Sequence, residues 1–240
     1  MDIYQQLSKT VASAPKPSAR PIAKPETKPL AVFQNPATAR AAGDASDQAL
    51  SQSAMQAVQL KQYGWALSLL DQLIARHPHR AVYYSNRSLV KLWSGDQDAA
   101  LEDCNQAIKL SPDLDQAFNN RATCYAAVGL MEQAIQDYER AIDLNPFNVR
   151  ARINLGATLR DLGNLDEALA RLDEALLFYQ LPEFIYAERG RTYHLRGDWN
   201  CAIADYRRAL AAAADSELTH PAQQMIQRVK GWMAELVPST

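Results

Sequence analysis

The stretch AFNNRATCYAAVGLMEQAIQDYERAIDLNP, residues 117–146, decides the fold of this 240-residue chain. Small and apolar side chains recur every three or four residues before Gly129 and again after it, which is the pattern of two amphipathic helices separated by a turn. Asn145-Pro146 then ends the second helix, because proline cannot continue a helix and disfavours helical geometry in the residue before it. The stretch therefore predicts one helix-turn-helix unit.

This unit recurs along the chain at a spacing of 34 residues. Alanine keeps that spacing at five positions, glycine at four and proline at three. These positions are Ala66, Ala100, Ala134, Ala168 and Ala202; Gly95, Gly129, Gly163 and Gly197; and Pro78, Pro112 and Pro146. A period in this range is typical of a solenoid, in which each unit buries its apolar face against its neighbours. We therefore expect a single all-α solenoid.

The register divides the chain into three parts. Residues 1–46 hold six of the twelve prolines and few large apolar side chains, which predicts a disordered Pro/Lys/Ala-rich tail. The repeats occupy 47–216, as five units at 47–80, 81–114, 115–148, 149–182 and 183–216. Residues 217–240 predict a capping helix, since a solenoid with a bare last interface would aggregate. The alternative for this helix is insertion into a membrane surface, but its polar face is only weakly basic.

The N-terminal part contains two short apolar motifs. One comprises Ile3, Tyr4 and Leu7, and the other Val32 and Phe33. Both are compatible with a solvated leader. The more specific hypothesis is that one of these motifs binds a partner or folds back into the protein's own groove.

Composition excludes several classes of function. Residues 1–46 carry six basic and three acidic side chains, whereas the chain from residue 47 carries 19 basic and 24 acidic ones, which argues against nucleic acid as the main partner. The three cysteines lack CxxC spacing, which favours a reducing, cytoplasmic location. No stretch approaches the ~18 apolar residues of a membrane span, and the first residues lack the features of a secretion signal.

Motifs for catalysis are also missing. The sequence shows no glycine-rich phosphate loop, no zinc-ligand spacing and no nucleophile beside a plausible base. We therefore expect no enzyme activity, no cofactor and no metal.

The repeat unit, with glycine at its turn, alanine after it and Asn-Pro or Ser-Pro at its end, resembles the tetratricopeptide repeat. The resemblance implies a right-handed α-solenoid whose concave wall is built mainly from the first helix of each unit, and which binds a partner there. Two departures are expected to distort it. Lys61 replaces the turn glycine of the first unit, and Pro182 stands two residues late at the end of the fourth, which predicts an altered angle between the last two units.

One column of the implied wall consists of Asn86, Asn120 and Asn154. Each amide offers a donor and an acceptor, so the column predicts a ladder that pairs with successive peptide groups of an extended ligand. If so, replacing all three with alanine should weaken partner capture without lowering stability. The same amides fit equally well as partners for polar groups of neighbouring helices.

The rest of the implied groove is graded from apolar to basic. Leu89 and Trp93 form the apolar part, with Trp93 either an anchor for a ligand or packed against the next repeat. The basic part is formed by Arg150, Arg160, Arg191 and His194. These side chains either attract the acidic end of a peptide, or are solvated or paired with Asp161 and Glu188.

The sequence thus predicts a non-enzymatic adaptor or assembly factor that binds an extended peptide or a partner helix. The alternative is a homo-oligomeric scaffold assembled through the convex face or the C-terminal helix, where Trp232 and Met233 motivate it. RNA binding by a related class of helical repeat conflicts with the 34-residue period and the acidic array.

Overall fold

The computed structural model describes residues 45–215 and 220–236. Except for residues 45 and 46, the predicted tail lies outside these ranges. So do residues 216–219 and 237–240, which belong to the predicted cap and its approach.

Within the described ranges the chain forms helices joined by short turns, which confirms the predicted all-α solenoid. The helices are α1 Ala45–Gln59, α2 Tyr63–Arg76, α3 Ala81–Ser94, α4 Gln97–Leu110, α5 Asp115–Ala127, α6 Met131–Leu144, α7 Val149–Asp161, α8 Leu165–Leu176, α9 Pro182–Arg196, α10 Trp199–Asp215 and α11 His220–Leu236. Each odd-numbered helix from α1 to α9 is the first helix of a unit and packs against its own second helix. From α3 onward it also packs against the second helix of the preceding unit.

The two helices of a unit meet at small residues. The five alanines of the 34-residue register are completely buried. In the last two units the first helix contributes glycine at this contact. A Cβ on Gly156 would lie 2.7 Å from Cγ of Leu172, and one on Gly190 would lie 2.8 Å from Cδ1 of Tyr206. Real Cβ atoms do not approach other atoms this closely, so the helix pair requires these positions to carry no side chain.

The turns between paired helices use left-handed backbone geometry. The four glycines of the register have φ between 83° and 95°. Lys61 takes the same place in the first unit with φ of 58°, at a cost of roughly 1–2 kcal/mol for a residue with a Cβ. Between α8 and α9, where the proline comes late, Tyr179 and Leu181 are also left-handed.

A three-way bridge joins the helices at three of the units. Arg87, Arg121 and Arg189 each donate two hydrogen bonds, 2.6–3.0 Å long, to an aspartate sixteen residues later on the second helix of the same unit. These aspartates are Asp103, Asp137 and Asp205. Each arginine also reaches the preceding unit's second helix, at Asp71, Asn105 and Asp173 respectively. Hydrogen bonding to the aspartate raises the pKa of Arg87 and of Arg121 above the ordinary value. The fourth unit has Leu155 and Arg171 at the equivalent positions.

Helix α11 covers the end of the array. Ala222, Met225, Val229 and Trp232 are buried in one cluster with side chains of α9 and α10. The ring of Trp232 stacks on Tyr206, with centroids 5.9 Å apart. Trp232 is only 8% exposed, so it is not the free contact that the scaffold hypothesis assumed for this helix.

The small-residue contact is testable with a matched pair of substitutions. Gly156→Ala should lower the free energy of unfolding by about 1 kcal/mol or more, because overpacking outweighs the gain in helix propensity. Gly231→Ala, on α11 with no atom within 4 Å, should raise it by roughly 0.5–1 kcal/mol. Urea unfolding of both variants measures these changes. Equal effects of the two substitutions would contradict the packing account.

The arginine bridge gives a second prediction. Arg121→Leu leaves Asp137 buried without its main partner and should destabilise the fold by about 3–5 kcal/mol. Adding Asp137→Ala should recover most of this loss, because the unpaired carboxylate is then gone. Thermal unfolding of the single and double variants tests this, and additive losses would show that the bridge is not a coupled unit.

Candidate binding groove

The first helices α3, α5, α7 and α9 lie side by side, and the face they turn away from their second helices is called here the first-helix wall. Hydrogen bonds between neighbouring first helices fix their alignment. Asn120 on α5 donates to the backbone oxygen of Ser85 on α3 (3.2 Å) and to its Oγ (2.9 Å). Asn154 on α7 donates to Oδ1 of Asn119 on α5 (3.3 Å). Both bonds join residues 35 positions apart in the sequence, one more than the repeat length, so they link nearly equivalent positions of consecutive units.

These bonds bear on the two interpretations of the asparagine column. Asn86, Asn120 and Asn154 are 1–2% exposed. A ladder that reads a ligand would require amides available to bond to it, whereas Asn120 and Asn154 donate to the neighbouring first helix. The structure therefore favours the interpretation in which the column satisfies polar groups between units.

Stability measurements can test this assignment. Asn120→Ala should lower the free energy of unfolding by about 1–3 kcal/mol, because it leaves a buried serine without its partner. Asn200→Ala, at an exposed position of α10, is the matched control and should change it by less than about 0.5 kcal/mol. If Asn120→Ala leaves stability unchanged, the earlier ladder hypothesis regains its basis.

The apolar part of the predicted groove is withdrawn from solvent. Leu89 is 0% exposed, and Trp93 is half-buried. The Trp93 ring lies 6.4 Å from that of Tyr63 on α2, so it packs against the preceding unit.

The predicted basic end is mostly neutralised within the protein. Arg160 is 2% exposed and donates to Oδ1 of Asp161 at 2.7 and 3.0 Å and to the carboxylate of Glu188. Burial alone would lower the pKa of Arg160, but these two carboxylates outweigh it and raise the pKa above the ordinary value. Of the alternatives for Arg160, the structure favours pairing.

Arg191 and His194 face the capping helix. Arg191 Nη1 lies 3.1 Å from Oε2 of Glu235 on α11, and its guanidinium lies 5.3 Å from the ring centre of Trp232. His194 Nδ1 lies 3.2 Å from the hydroxyl of Tyr206. Contact with α11 and low exposure favour, for these two residues, the alternative in which they are paired within the protein.

Arg150 differs from the other predicted cations. It is half-buried on α7, and among the described residues it makes no hydrogen bond or ion pair. Burial lowers its pKa, and the charge of Glu183 only partly opposes this. An unpaired guanidinium in such a position favours an anion or a carbonyl oxygen as ligand.

Gln116 occupies the equivalent position one unit earlier, on α5. Its Oε1 atom is buried and has no hydrogen-bond partner among the described residues. Sequence reasoning missed this residue, although counting 34 positions back from Arg150 would have found it. Together the two side chains offer an acceptor and a donor on consecutive first helices, which is what a peptide backbone can satisfy.

The remaining candidate chemistry is sparse. Cys104 and Cys124 are buried and Cys201 is exposed. A hydrogen bond with Cys104, together with burial, raises the pKa of Cys124 far above that of a reactive thiol. In the described ranges, no three His, Cys, Asp or Glu side chains are grouped as a metal site would need, and no helix is long and apolar enough to cross a membrane.

Comparison with known families settles what the repeats are. Profiles described as tetratricopeptide repeat match residues 116–148 and residues 137–170. The chain is a tetratricopeptide repeat protein. Tetratricopeptide arrays are in general binding modules for other proteins, and the first-helix wall of this tetratricopeptide array is its candidate binding surface.

Similar proteins extend the comparison. The mouse WD and tetratricopeptide repeats protein 1 is 36% identical over 66 residues, which are 26% of this chain and 10% of that protein. The chain therefore spans about a tenth of that curated relative.

Among solved structures, TTC0263 from Thermus thermophilus, a thermophilic tetratricopeptide protein, aligns with a TM-score of 0.69 and 22% identity, over 78% of this chain and 98% of that one. YrrB, a tetratricopeptide protein with an unusual peptide-binding site, aligns with a TM-score of 0.50 and 18% identity, over 77% and 94% of the two chains. At these identities the likeness concerns the fold.

Proposed function

We propose that this protein is an adaptor or assembly factor that binds an extended polypeptide along its first-helix wall. One observation carries the proposal. On a wall whose asparagines and other arginines are engaged within the protein, Gln116 Oε1 and the Arg150 guanidinium have no hydrogen-bond partner among the described residues. Buried polar groups are costly unless they are paired, so their partners are expected from a ligand.

The spacing of these groups favours an extended segment over a helix. Neighbouring helices pack about 8–10 Å apart, and an extended chain rises about 3.3 Å per residue, so α5 and α7 are about three residues of ligand apart. An extended backbone exposes free N–H and C=O groups at this spacing, whereas a helix satisfies its own. The positive charge of Arg150 adds a preference for an acidic side chain at its end.

Support also comes from YrrB, which shares the fold and has a peptide-binding site. The homo-oligomeric alternative loses support at α11, because Trp232 belongs to the buried core and Met233 packs against it. Assembly through the convex face remains a prediction.

Partner capture with charge-reversed variants tests the proposal. Arg150→Glu should reduce the recovery of a specific cross-linked partner from native extract by about tenfold or more, because it places repulsion where attraction is needed. Arg207→Glu, the same change on the exposed face of α10, is the matched control and should recover the partner normally. Circular dichroism melting of both variants checks that they fold. Equal recovery by wild type, Arg150→Glu and Arg207→Glu would place the binding surface elsewhere.

A further inference from the structure

An exposed apolar patch lies where the third, fourth and fifth units are connected. Phe147, Leu177 and Tyr179 are 70%, 73% and 91% exposed, more than any other large apolar side chain that the structure describes. The Phe147 ring meets that of Phe178 edge-on, with centroids 5.8 Å apart, so the two connections form one surface. These four residues are called here the connection patch.

The repeat itself does not require apolar side chains at the exposed positions of this patch. In the second unit the 34-residue register gives three polar residues at the places that Leu177, Tyr179 and Phe147 take in later units. These residues are Lys109, Ser111 and Asp113. A connection of this kind can therefore be built from polar residues, so the apolar side chains of the patch indicate a contact outside the unit.

Backbone geometry and one arginine hold the patch in a defined shape. Tyr179 and Leu181 have φ of 53° and 52°, in the left-handed region where a residue with a Cβ is strained. Arg152 lies 4.9 Å from the ring centre of Phe178 and donates to the backbone oxygen of Pro146, so it joins the two connections. Strained backbone persists where surrounding contacts support it, and it is concentrated at functional sites.

The area of the patch suits association with a second copy of the chain. With about 150–250 Å² for an aromatic side chain and about 100 Å² for leucine, the three exposed side chains offer roughly 400 Å² of apolar surface. Two copies that cover each other's patches would bury about 800 Å² of it. Because homodimer interfaces are about 65% apolar, this implies about 1,200 Å² in total, the lower end of specific interfaces.

Charges beside the patch are self-complementary. Arg140 on α6 and Glu174 on α8 are 34 residues apart and so take equivalent positions in consecutive units. Arg140 is exposed and makes no ion pair among the described residues. Glu174 lies 3.4 Å from Arg152 and 3.6 Å from Arg171, and its side chain is 45% exposed. A two-fold axis between α6 and α8 would bring Arg140 of each copy opposite Glu174 of the other, which favours a symmetric pair.

We propose that the connection patch joins two copies of this chain in an isologous dimer, with Leu177 and Tyr179 nearest the two-fold axis. This site differs from both α11 and the convex face, because it belongs to the connections between units. The patch residues also lie outside the helices of the first-helix wall, so a dimer carries two free walls. Binding by these two walls rests on the proposed function, whereas the dimer itself does not.

Sedimentation equilibrium of the purified full-length chain tests the proposal. Wild type should pass from monomer to dimer between about 1 and 300 μM, because an interface of this size gives weak to moderate affinity. Leu177→Asp combined with Tyr179→Asp should raise the dissociation constant about a hundredfold or more, since it places carboxylates of both copies in the interface. Leu60→Asp combined with Trp65→Asp adds the same charge at exposed positions outside the patch and is the matched control.

Thermal melting separates loss of the dimer from loss of the fold. It is measured at a concentration at which wild type is monomeric. Aspartate tolerates the left-handed conformation of position 179 better than tyrosine does, so Tyr179→Asp should leave the melting temperature unchanged or raise it. A dimer that is lost only together with a lower melting temperature would assign the patch to the fold of the chain and count against the proposal.

A disulfide cross-link tests the symmetry of the pair. Cys201, the exposed one of the three cysteines, is first replaced by Cys201→Ser. In that background Tyr179→Cys should form a covalent dimer on mild oxidation about tenfold faster than Leu60→Cys, because a disulfide requires Cα atoms within about 7 Å. Equal rates would contradict the placement of Tyr179 at the two-fold axis.

Two sedimentation results would overturn the proposal. One is a wild-type chain that stays monomeric throughout the concentration range, which would leave the patch to residues 1–44 of the same chain or to another protein. The other is a dimer that the Leu177 and Tyr179 substitutions weaken no more than the control pair does. Both results come from the purified chain alone, whereas Arg150→Glu tests the proposed function by partner capture, so either proposal can fail while the other stands.

Discussion

Close approach between the two helices of each unit is the constraint on which the rest of the structure depends. The first helices carry alanine, serine or glycine at this contact, and at Gly156 and Gly190 even a single Cβ would collide with Leu172 or Tyr206. Because this requirement recurs every 34 residues, each helix pair has the same shape and can pack on the next. Stacking of identical shapes then lines up the first helices into one wall, which is the surface available for binding.

Polar contacts between units determine what that wall can offer a ligand. The arginine bridges hold α3, α5 and α9 each to two second helices. The bonds from Asn120 and Asn154 hold neighbouring first helices to each other. Because these groups are engaged internally, the few that are not become informative. Gln116 and Arg150 stand out for this reason, and the ligand proposed for them is extended and acidic at one point.

The sequence was sufficient for the fold and insufficient for the site, for a physical reason. Glycines such as Gly95 mark turns, and alanines such as Ala100 mark close helix contacts. Both features depend on residue type, so their spacing in the sequence predicts the fold. The role of Asn120 depends on whether its amide faces solvent or the neighbouring helix, and both arrangements use the same residue at the same spacing. Arg160 was ambiguous in the same way until its distances to Asp161 and Glu188 were known.

One structural feature could have been predicted from the sequence but was not. Arginine and aspartate sixteen residues apart recur at Arg87 and Asp103 and again at Arg121 and Asp137, so the bridge was readable from the register. The contact of α11 with Arg191 and His194 could not be predicted from the sequence, because α11 lies outside the 34-residue repeats and its packing position does not follow from them.

The central claim is that the first-helix wall is a surface for extended polypeptide. The most direct measurement is photo-cross-linking in native extract from p-benzoylphenylalanine placed at Gln116 on the wall, with the same amino acid at the exposed Arg207 of α10 as the control. The account predicts a partner product from position 116 that position 207 does not give. No product from position 116, or the same product from both positions, would contradict it.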